Sequence, residues 1–464
     1  MTSGGSNLAR PYIFRDPVHG DIAFARNEAG NMHSLIREIV DNETFQRLRG
    51  IRQNGVLNLV FHGAEHSRFA HSLGVAHVAG QMYDAACLNS SMAPRADERA
   101  LIVVAALVHD IGHGPFSHLI EEVLGKKHFH HETMTARLLV EEDSPLSAVL
   151  RKHDRDLPEK LLPFVDYKKR TENLWYHAIV SSQLDADRLD YTARDALMAG
   201  IVSHRFDRRR LIGALYVWTR ETAPTGGKIQ ELVVDDRALD VIENYLFSLH
   251  HLYRSVYFHH TARAVSWMLN AVLRRARHLA NDEKMRSELF APIGAERDPL
   301  WALIEDGNKV PLSEYIRLDE SHVWGLIQRW RRASDTTLSD LCNRLKQRRY
   351  LKAMDLPSDY ELVSKLVESA KERTREINPE LDVDSYVHID QIDRQTYKPY
   401  RWTKERSGDT GEKPILIVSK TGDVRPIEQD AETTLDLLDA RFNAKRLLVL
   451  PEVRHHLQEI TAKR

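Results

Sequence analysis

The apolar run Leu101-Ile-Val-Val-Ala-Ala-Leu-Val108 leads directly into His109-Asp110-Ile-Gly-His113-Gly-Pro-Phe-Ser-His118, and this junction constrains the fold more than any other stretch. The run is too short to cross a bilayer and too apolar for a surface, so it predicts a buried helix inside a soluble domain. Buried charge is costly unless paired or metal-bound. An imidazole and a carboxylate emerging side by side from a core helix therefore need a partner, and a divalent cation is the natural one. Gly112, Gly114 and Pro115 then break the helix and let the backbone turn tightly around what is bound.

A chain of 464 residues with 42% hydrophobic content can bury a large core, and its length predicts two or three domains. Lys+Arg total 65 against Asp+Glu 67, a net charge of -2, so no global basic field advertises nucleic acid and any polyanion site must be local. Cys87 and Cys342 stand far apart, which argues against a disulfide framework or a zinc-thiolate site and fits a reducing cytoplasm. Met1 to Arg10 has no apolar centre and reads as a short disordered tail rather than a signal peptide or membrane anchor. Ten of the 24 histidines lie between His62 and His131. An even scatter would place only about four there, so the clustering points to metal or acid-base chemistry.

The remaining pattern is mostly helical. Residues 11–25 suggest a short hairpin around Pro17 and Gly20, and Met32 to Arg52 reads as helix broken near Asp41-Asn42-Glu43. Ser67 or His66 opens a helix over Arg68 to Leu88, which places Arg68 and His71 on one face. Leu119 to Leu124 continues as helix, and His128-Phe-His-His131-Glu132 opens another running to Val140, with His128 and His130 on a polar rim. Asp187, Tyr191 and Asp195 share a helical face opposite the stripe Ala186, Leu189, Ala193 and Ala196. Taken alone, that face also fits a solvated surface laced by pairs such as Asp190 and Arg194. Asp236 to Ala280 is again helical and carries Tyr257, a candidate wall of a nucleotide pocket. Beyond residue 376, strands are expected at Tyr386 to Ile389, Ile415 to Val418, Val424 to Ile427 and Leu447 to Leu450, with a helix over Thr433 to Leu438.

His71, His109-Asp110 and Asp187 supply four N/O ligands in the order H…HD…D, a set that suits a hard or borderline divalent metal. This order resembles the HD-domain superfamily of metal-dependent phosphohydrolases. Longer motifs narrow the resemblance: Phe45-Gln46-Arg47-Leu48-Arg49, Gly63-Ala-Glu-His-Ser-Arg68-Phe-Ala-His71-Ser-Leu-Gly74, the His109 to His118 stretch and Asp187-Arg-Leu-Asp-Tyr191-Thr-Ala-Arg-Asp195 look like the deoxynucleoside triphosphate triphosphohydrolases. The bacterial dGTPase-like enzymes and a vertebrate HD-domain dNTPase are the nearest in kind.

The resemblance implies a mainly α fold, with an HD-domain helical core at 11–280, a helical extension at 281–375 and a small α+β lobe at 376–464. It implies hydrolysis of a dNTP at the α-phosphorus to deoxynucleoside and tripolyphosphate by a cytoplasmic homotetramer. Metal ligands fall on His71, His109, Asp110 and Asp187, with Mn, Mg, Fe or Zn as candidate ions. Arg68 holds the triphosphate, His113, His118, Glu121 and His131 form the acid set, and Gln53, Tyr191 and Asp195 read the sugar. Asp41, Gln46 and Arg49 match a regulatory site for GTP or dNTP, whose phosphate-binding lysine is Tyr12 in this chain.

Two other classes fit the same ligands. One is a phosphodiesterase or nuclease on single-stranded nucleic acid, served by local basic runs at Lys168 to Arg170 and Arg208 to Arg210. The other is a non-catalytic nucleotide sensor, disfavoured because a pure binding module has no need of the full ligand quartet together with an acid set.

Overall fold

The computed structural model describes residues 11–24, 32–172, 174–202, 206–222, 227–291, 296–394, 414–430, 433 and 442–462. The expected tail at 1–10 and all but the first residue of the helix expected at 433–438 lie outside the described residues. The chain is mainly α, with small sheets, and among the described residues no helix is long and apolar enough to cross a membrane.

The first element is a hairpin of strands β1 (Tyr12–Asp16) and β2 (Gly20–Phe24), in register with Asp16 opposite Gly20. Its turn is closed by Asp16 Oδ1, which accepts from the N–H groups of Val18 and His19 at 2.9 and 3.0 Å. Helix α1 (Met32–Asp41) buries Leu35, Ile36, Ile39 and Val40, and the chain breaks at Asn42, whose side chain caps the next turn.

The core pair is α2 (Arg68–Asn89), capped by Ser67, and α3 (Ala96–Val108). Ile102 to Val108 are at most 1% exposed, so the apolar run is the buried helix that its composition predicts. Helices α4 (His118–Leu124), α5 (His131–Val140) and α6 (Ala186–Met198) complete the wall of the site, and α6 is capped by Asp185. Helix α2 admits α6 closely because Gly74 faces it: a Cβ there would lie 2.0 Å from Asp190 Oδ1 and 2.5 Å from Arg194 Nη2.

The helical stretch expected over 236–280 forms two helices, α7 (Leu239–Leu252) and α8 (His260–Leu279), separated by a wide π turn at Tyr253–Tyr257. Helix α9 (Glu320–Trp330) then packs its N-terminus against the site.

Seven further strands are described: β3 (Leu215–Thr222), β4 (Gly227–Asp235), β5 (Lys352–Asp355), β6 (His388–Arg394), β7 (Leu416–Val418), β8 (Val424–Pro426) and β9 (Phe442–Val449). One sheet runs β3-β4-β7-β8 and another β5-β9-β6. The β3–β4 hairpin has no counterpart in the sequence reading, and β7 joins it in parallel from far along the chain. The expected strand at Leu447 is the centre of its sheet, with Leu447, Leu448 and Val449 fully buried.

Candidate functional site

His71 leaves the first turn of α2, His109 and Asp110 leave the C-terminal end of α3, and Asp187 leaves the first turn of α6. The fold brings these four together. His71 Nε2 lies 2.9 Å from Asp187 Oδ1 and 3.8 Å from Asp110 Oδ2, while His109 Nε2 lies 3.4 Å from Asp110 Oδ1 and 3.8 Å from Asp187 Oδ1.

Whether these residues fit a metal ion is answered by the opposite side of each ring. His71 Nδ1 donates to Asp190 Oδ2 at 2.7 Å, and His109 Nδ1 donates to the Ala106 carbonyl at 2.7 Å. Both Nε2 atoms are buried and lack a hydrogen-bond partner among the described residues, so each turns a ring nitrogen toward the space between the carboxylates. Burial pushes the His71 pKa down, but Asp187 and Asp190 outweigh it and hold the ring at about 10. The same two carboxylates favour any positive charge at Nε2, proton or metal ion. Burial opposes ionisation of Asp110, yet Arg68 and the neighbouring histidines keep its carboxyl well below the usual range. The donor set fits a divalent cation.

Behind these four residues lies a charged layer, for which a solvated surface was the alternative that the segment allows when taken alone. Asp190 and Arg194 do pair, at 2.8 and 2.9 Å, but both side chains are at most 1% exposed, packed against Gly74.

The four residues of the expected acid set also converge. Both the ring Nδ1 and the backbone N–H of His131 donate to Glu121 Oε1, the latter at 3.0 Å, and His118 Nδ1 stands 3.6 Å from Glu121 Oε2. His113 stacks on His131 with ring centroids 3.9 Å apart and reaches Asp110 Oδ1 with its Nε2 at 3.3 Å. That last contact joins the two clusters. Gly112 allows it, because a Cβ there would lie 2.2 Å from the Thr135 nitrogen in α5. Burial, then the positive charges of Arg68 and His131, hold His113 well below the usual imidazole range, so it is a neutral ring at pH 7.

Arg68 is buried beside both clusters. Its Nη1 donates to Asp110 Oδ2, and its Nε and Nη2 donate to Ser117 Oγ at 3.0 and 2.8 Å. Ser117 and Phe116 hold positive φ values of 55° and 59°, a strained pair for residues with side chains. Glu320 at the start of α9 keeps that backbone in place, accepting from the Phe116 N–H at 3.3 Å, the Arg52 N–H at 3.0 Å and Arg52 Nη1 at 2.9 Å. Burial pushes the Glu320 carboxyl up to about 7, the Arg52 contacts only partly opposing it. The folded state therefore binds a proton that the unfolded state releases above the ordinary value of 4.5. This contribution to stability is complete below 4.5 and gone above about 7. Urea unfolding at pH 5 and pH 8 should show wild type losing up to about 3 kcal/mol relative to Glu320→Gln as pH rises. Parallel pH profiles for the two proteins would refute this assignment.

The expected substrate residues are less uniform in placement. Gln53 and Tyr257 line a cleft of about 300 Å³ that starts at Ser117 and His118. Tyr191 is half-buried on α6, and burial pushes its phenol well above the usual range. Asp195 is 1% exposed, and its oxygens accept from Tyr257 Oη and from His66 Nε2, the latter at 2.7 Å. Its carboxylate thus holds those two side chains, and His66 is a participant that the sequence reading used only as a helix start. Deeper in the cleft, Trp267 stacks on His388 with centroids 3.4 Å apart, and Arg263 binds Asp390 Oδ1 at 2.5 and 3.0 Å. Asp390 Oδ2, the Asn270 amide and Gln53 Oε1 have no hydrogen-bond partner among the described residues. None of Trp267, Asn270 or Asp390 stood out in sequence.

The candidate regulatory residues gather near Tyr12. Asp41 pairs with Arg37 at 3.5 Å and stands beside the Tyr12 phenol, raising its pKa together with burial. Gln46 Nε2 donates to the Val40 carbonyl at 2.6 Å, and Arg49 Nε donates to Gln46 Oε1 at 2.8 Å while its guanidinium lies over the Phe69 ring. Their polar groups are already engaged within the chain.

Comparison with known proteins agrees with this geometry. The HD domain family model matches residues 68–195, from the arginine beside the metal centre to the aspartate behind Tyr257. Uncharacterized protein YwfO of Bacillus subtilis is 31% identical over 434 residues, covering 93% of this chain and 90% of that protein. Deoxynucleoside triphosphate triphosphohydrolase SAMHD1 of Danio rerio is 28% identical over 57% of this chain, which spans 45% of that protein's length. A crystal structure of a phosphohydrolase from Bacteroides thetaiotaomicron superposes with a TM-score of 0.74 at 25% identity, covering 95% of this chain and 100% of the other. Matched by relatives along nearly its whole length, the chain belongs to the HD-domain family of phosphohydrolases.

Proposed function

We propose that this protein hydrolyses deoxynucleoside triphosphates at the α-phosphorus, releasing a deoxynucleoside and tripolyphosphate. The observation that carries the reading is the 3.3 Å contact of His113 with Asp110, which sets a four-ligand metal centre directly against a carboxylate-oriented imidazole cluster at the mouth of a cleft. His71, His109, Asp110 and Asp187 would hold a divalent ion, whether Mn, Mg, Fe or Zn, which would lower the pKa of water and neutralise charge on phosphoryl oxygen.

The chain's own groups do the rest. Arg68, desolvated and steadied by Ser117, offers fixed N–H donors to the triphosphate once its bond to Asp110 is shared. Glu121 orients His131 through Nδ1, leaving the other ring nitrogen to give a proton to the departing 5′ oxygen, with His118 at the solvent edge and neutral His113 packed behind. Gln53, Tyr191 and Tyr257 contact the sugar, and Asp195 holds Tyr257 in place. A GTP or dNTP effector at Asp41, Gln46 and Arg49, a homotetramer and a cytoplasmic setting belong to the same proposal. To admit an effector, the bonds of Gln46 and Arg49 must open.

The test is product analysis with Mn²⁺ or Mg²⁺ and each dNTP, alone and with GTP, beside a single-stranded oligonucleotide. Deoxynucleoside with tripolyphosphate is the expected product. Cleavage of the oligonucleotide with every dNTP left intact would overturn the proposal in favour of a nuclease.

The unpartnered groups at Asn270 and Asp390 suit the edge of a base. Asn270→Ala and Asp390→Asn should change the ratio of kcat/KM between dNTPs by roughly tenfold, with metal content unchanged. A uniform loss across all four bases would place these residues outside the base pocket.

A further inference from the structure

We infer that the turn of the N-terminal hairpin is a working part of the metal centre, with His19 as a positioning residue that fixes His71 through Asp190. The inference rests on the reading of His71 as a metal ligand. It concerns residues outside the 68–195 segment matched by the HD domain model.

Five contacts make a continuous path. His71 Nδ1 donates to Asp190 Oδ2 at 2.7 Å, and His19 Nε2 meets Asp190 Oδ1 at 2.5 Å. Arg194 spans the same carboxylate and also donates through Nη1 to Asp16 Oδ2 at 2.8 Å. Asp16 in turn fixes the backbone of His19 by accepting its N–H. The side chains of His19, His71 and Asp190 are fully buried, so water cannot replace any of these bonds.

The proton positions follow from the partners. His19 Nδ1 is buried and has no hydrogen-bond partner among the described residues, whereas its Nε2 faces Asp190 Oδ1 and donates to it. Asp16 and Asp190 bring two negative charges to this dry space, and Arg194 and the nearby Arg208 bring two positive ones. Burial opposes ionisation of Asp190, but Arg194 and its hydrogen bonds hold its carboxyl well below the usual range, and its Oδ2 faces His71 Nδ1. A carboxylate in that position fixes the ring's tautomer and orientation and makes its Nε2 lone pair a stronger donor to a metal ion. Without His19, Asp190 keeps its charge and its two bonds from Arg194 but loses the bond to Oδ1, and with it one of the constraints that fix the carboxylate against His71. Gly74 supports the same placement, since a methyl group there would displace the carboxylate.

The experiment measures Mn²⁺ affinity and stoichiometry by equilibrium dialysis with elemental analysis, on the full chain, together with urea unfolding of metal-free protein. His19→Ala should bind Mn²⁺ about 10- to 100-fold more weakly, and His19→Gln, whose amide N–H can replace Nε2–H, should recover most of that loss. A merely structural His19 would lower the unfolding midpoint and leave Mn²⁺ affinity within twofold of wild type, which would overturn the inference. Should His19→Ala not fold, His19→Asn, too short to reach Asp190, makes the same comparison with His19→Gln. His71→Ala separates the two levels. If it too binds Mn²⁺ normally, the ligand assignment fails first, whereas loss in His71→Ala with no loss in His19→Ala removes the hairpin's role alone.

Discussion

Asp187→Ala is expected to lose bound metal and at least about 10⁴-fold in turnover while remaining folded. Asp187 has 34% of its side chain exposed, so its removal leaves no large cavity, whereas Asp110 neutralises the buried Arg68 and cannot be deleted so cleanly. The carboxylate stands between the two unpartnered Nε2 atoms, and without it two imidazoles and one aspartate remain to hold a cation. Metal per chain and product formation should fall together. Full metal occupancy in the variant, with turnover within tenfold of wild type, would remove Asp187 from the ligand set.

Glu121→Ala should do the opposite with respect to metal: occupancy stays, and kcat falls by about 10²- to 10⁴-fold. Glu121 is 1% exposed and bonds His131 through both ring and backbone, so its loss frees the ring that delivers the proton. The defect should depend on the leaving group. Bis(p-nitrophenyl) phosphate, whose nitrophenolate departs without a proton, should lose much less than a dNTP does. Equal losses on the two substrates would mean that Glu121 supports the metal centre rather than the departing oxygen.

What the sequence makes legible here is local. The apolar run ending at His109 could only be a buried helix, and Gly112 to Pro115 could only be a turn, so the metal loop was readable from adjacent residues. Asp187 was readable because one carboxylate at the start of a helix completed an existing set. Asp190 and Arg194 were not, since an i,i+4 pair looks the same in sequence whether it faces water or a glycine on another helix. Gly74 decides which, and the relation is tertiary. His19 lies 171 residues from Asp190, and no local pattern connects a hairpin turn to a helix at that distance. The β3–β4 hairpin was missed although Leu215 to Thr222 is rich in β-forming residues. The cleft escaped for a similar reason: Asp390, on β6, meets Arg263 on α8 only after the C-terminal strands have paired.

In the proposed reaction water attacks the α-phosphorus and the 5′ oxygen leaves with the deoxynucleoside. Turnover of a dNTP in H₂¹⁸O, followed by mass spectrometry of both products, should therefore place one ¹⁸O in tripolyphosphate and none in the deoxynucleoside. Label in the deoxynucleoside, or release of deoxynucleoside monophosphate with pyrophosphate, would overturn the proposed reaction.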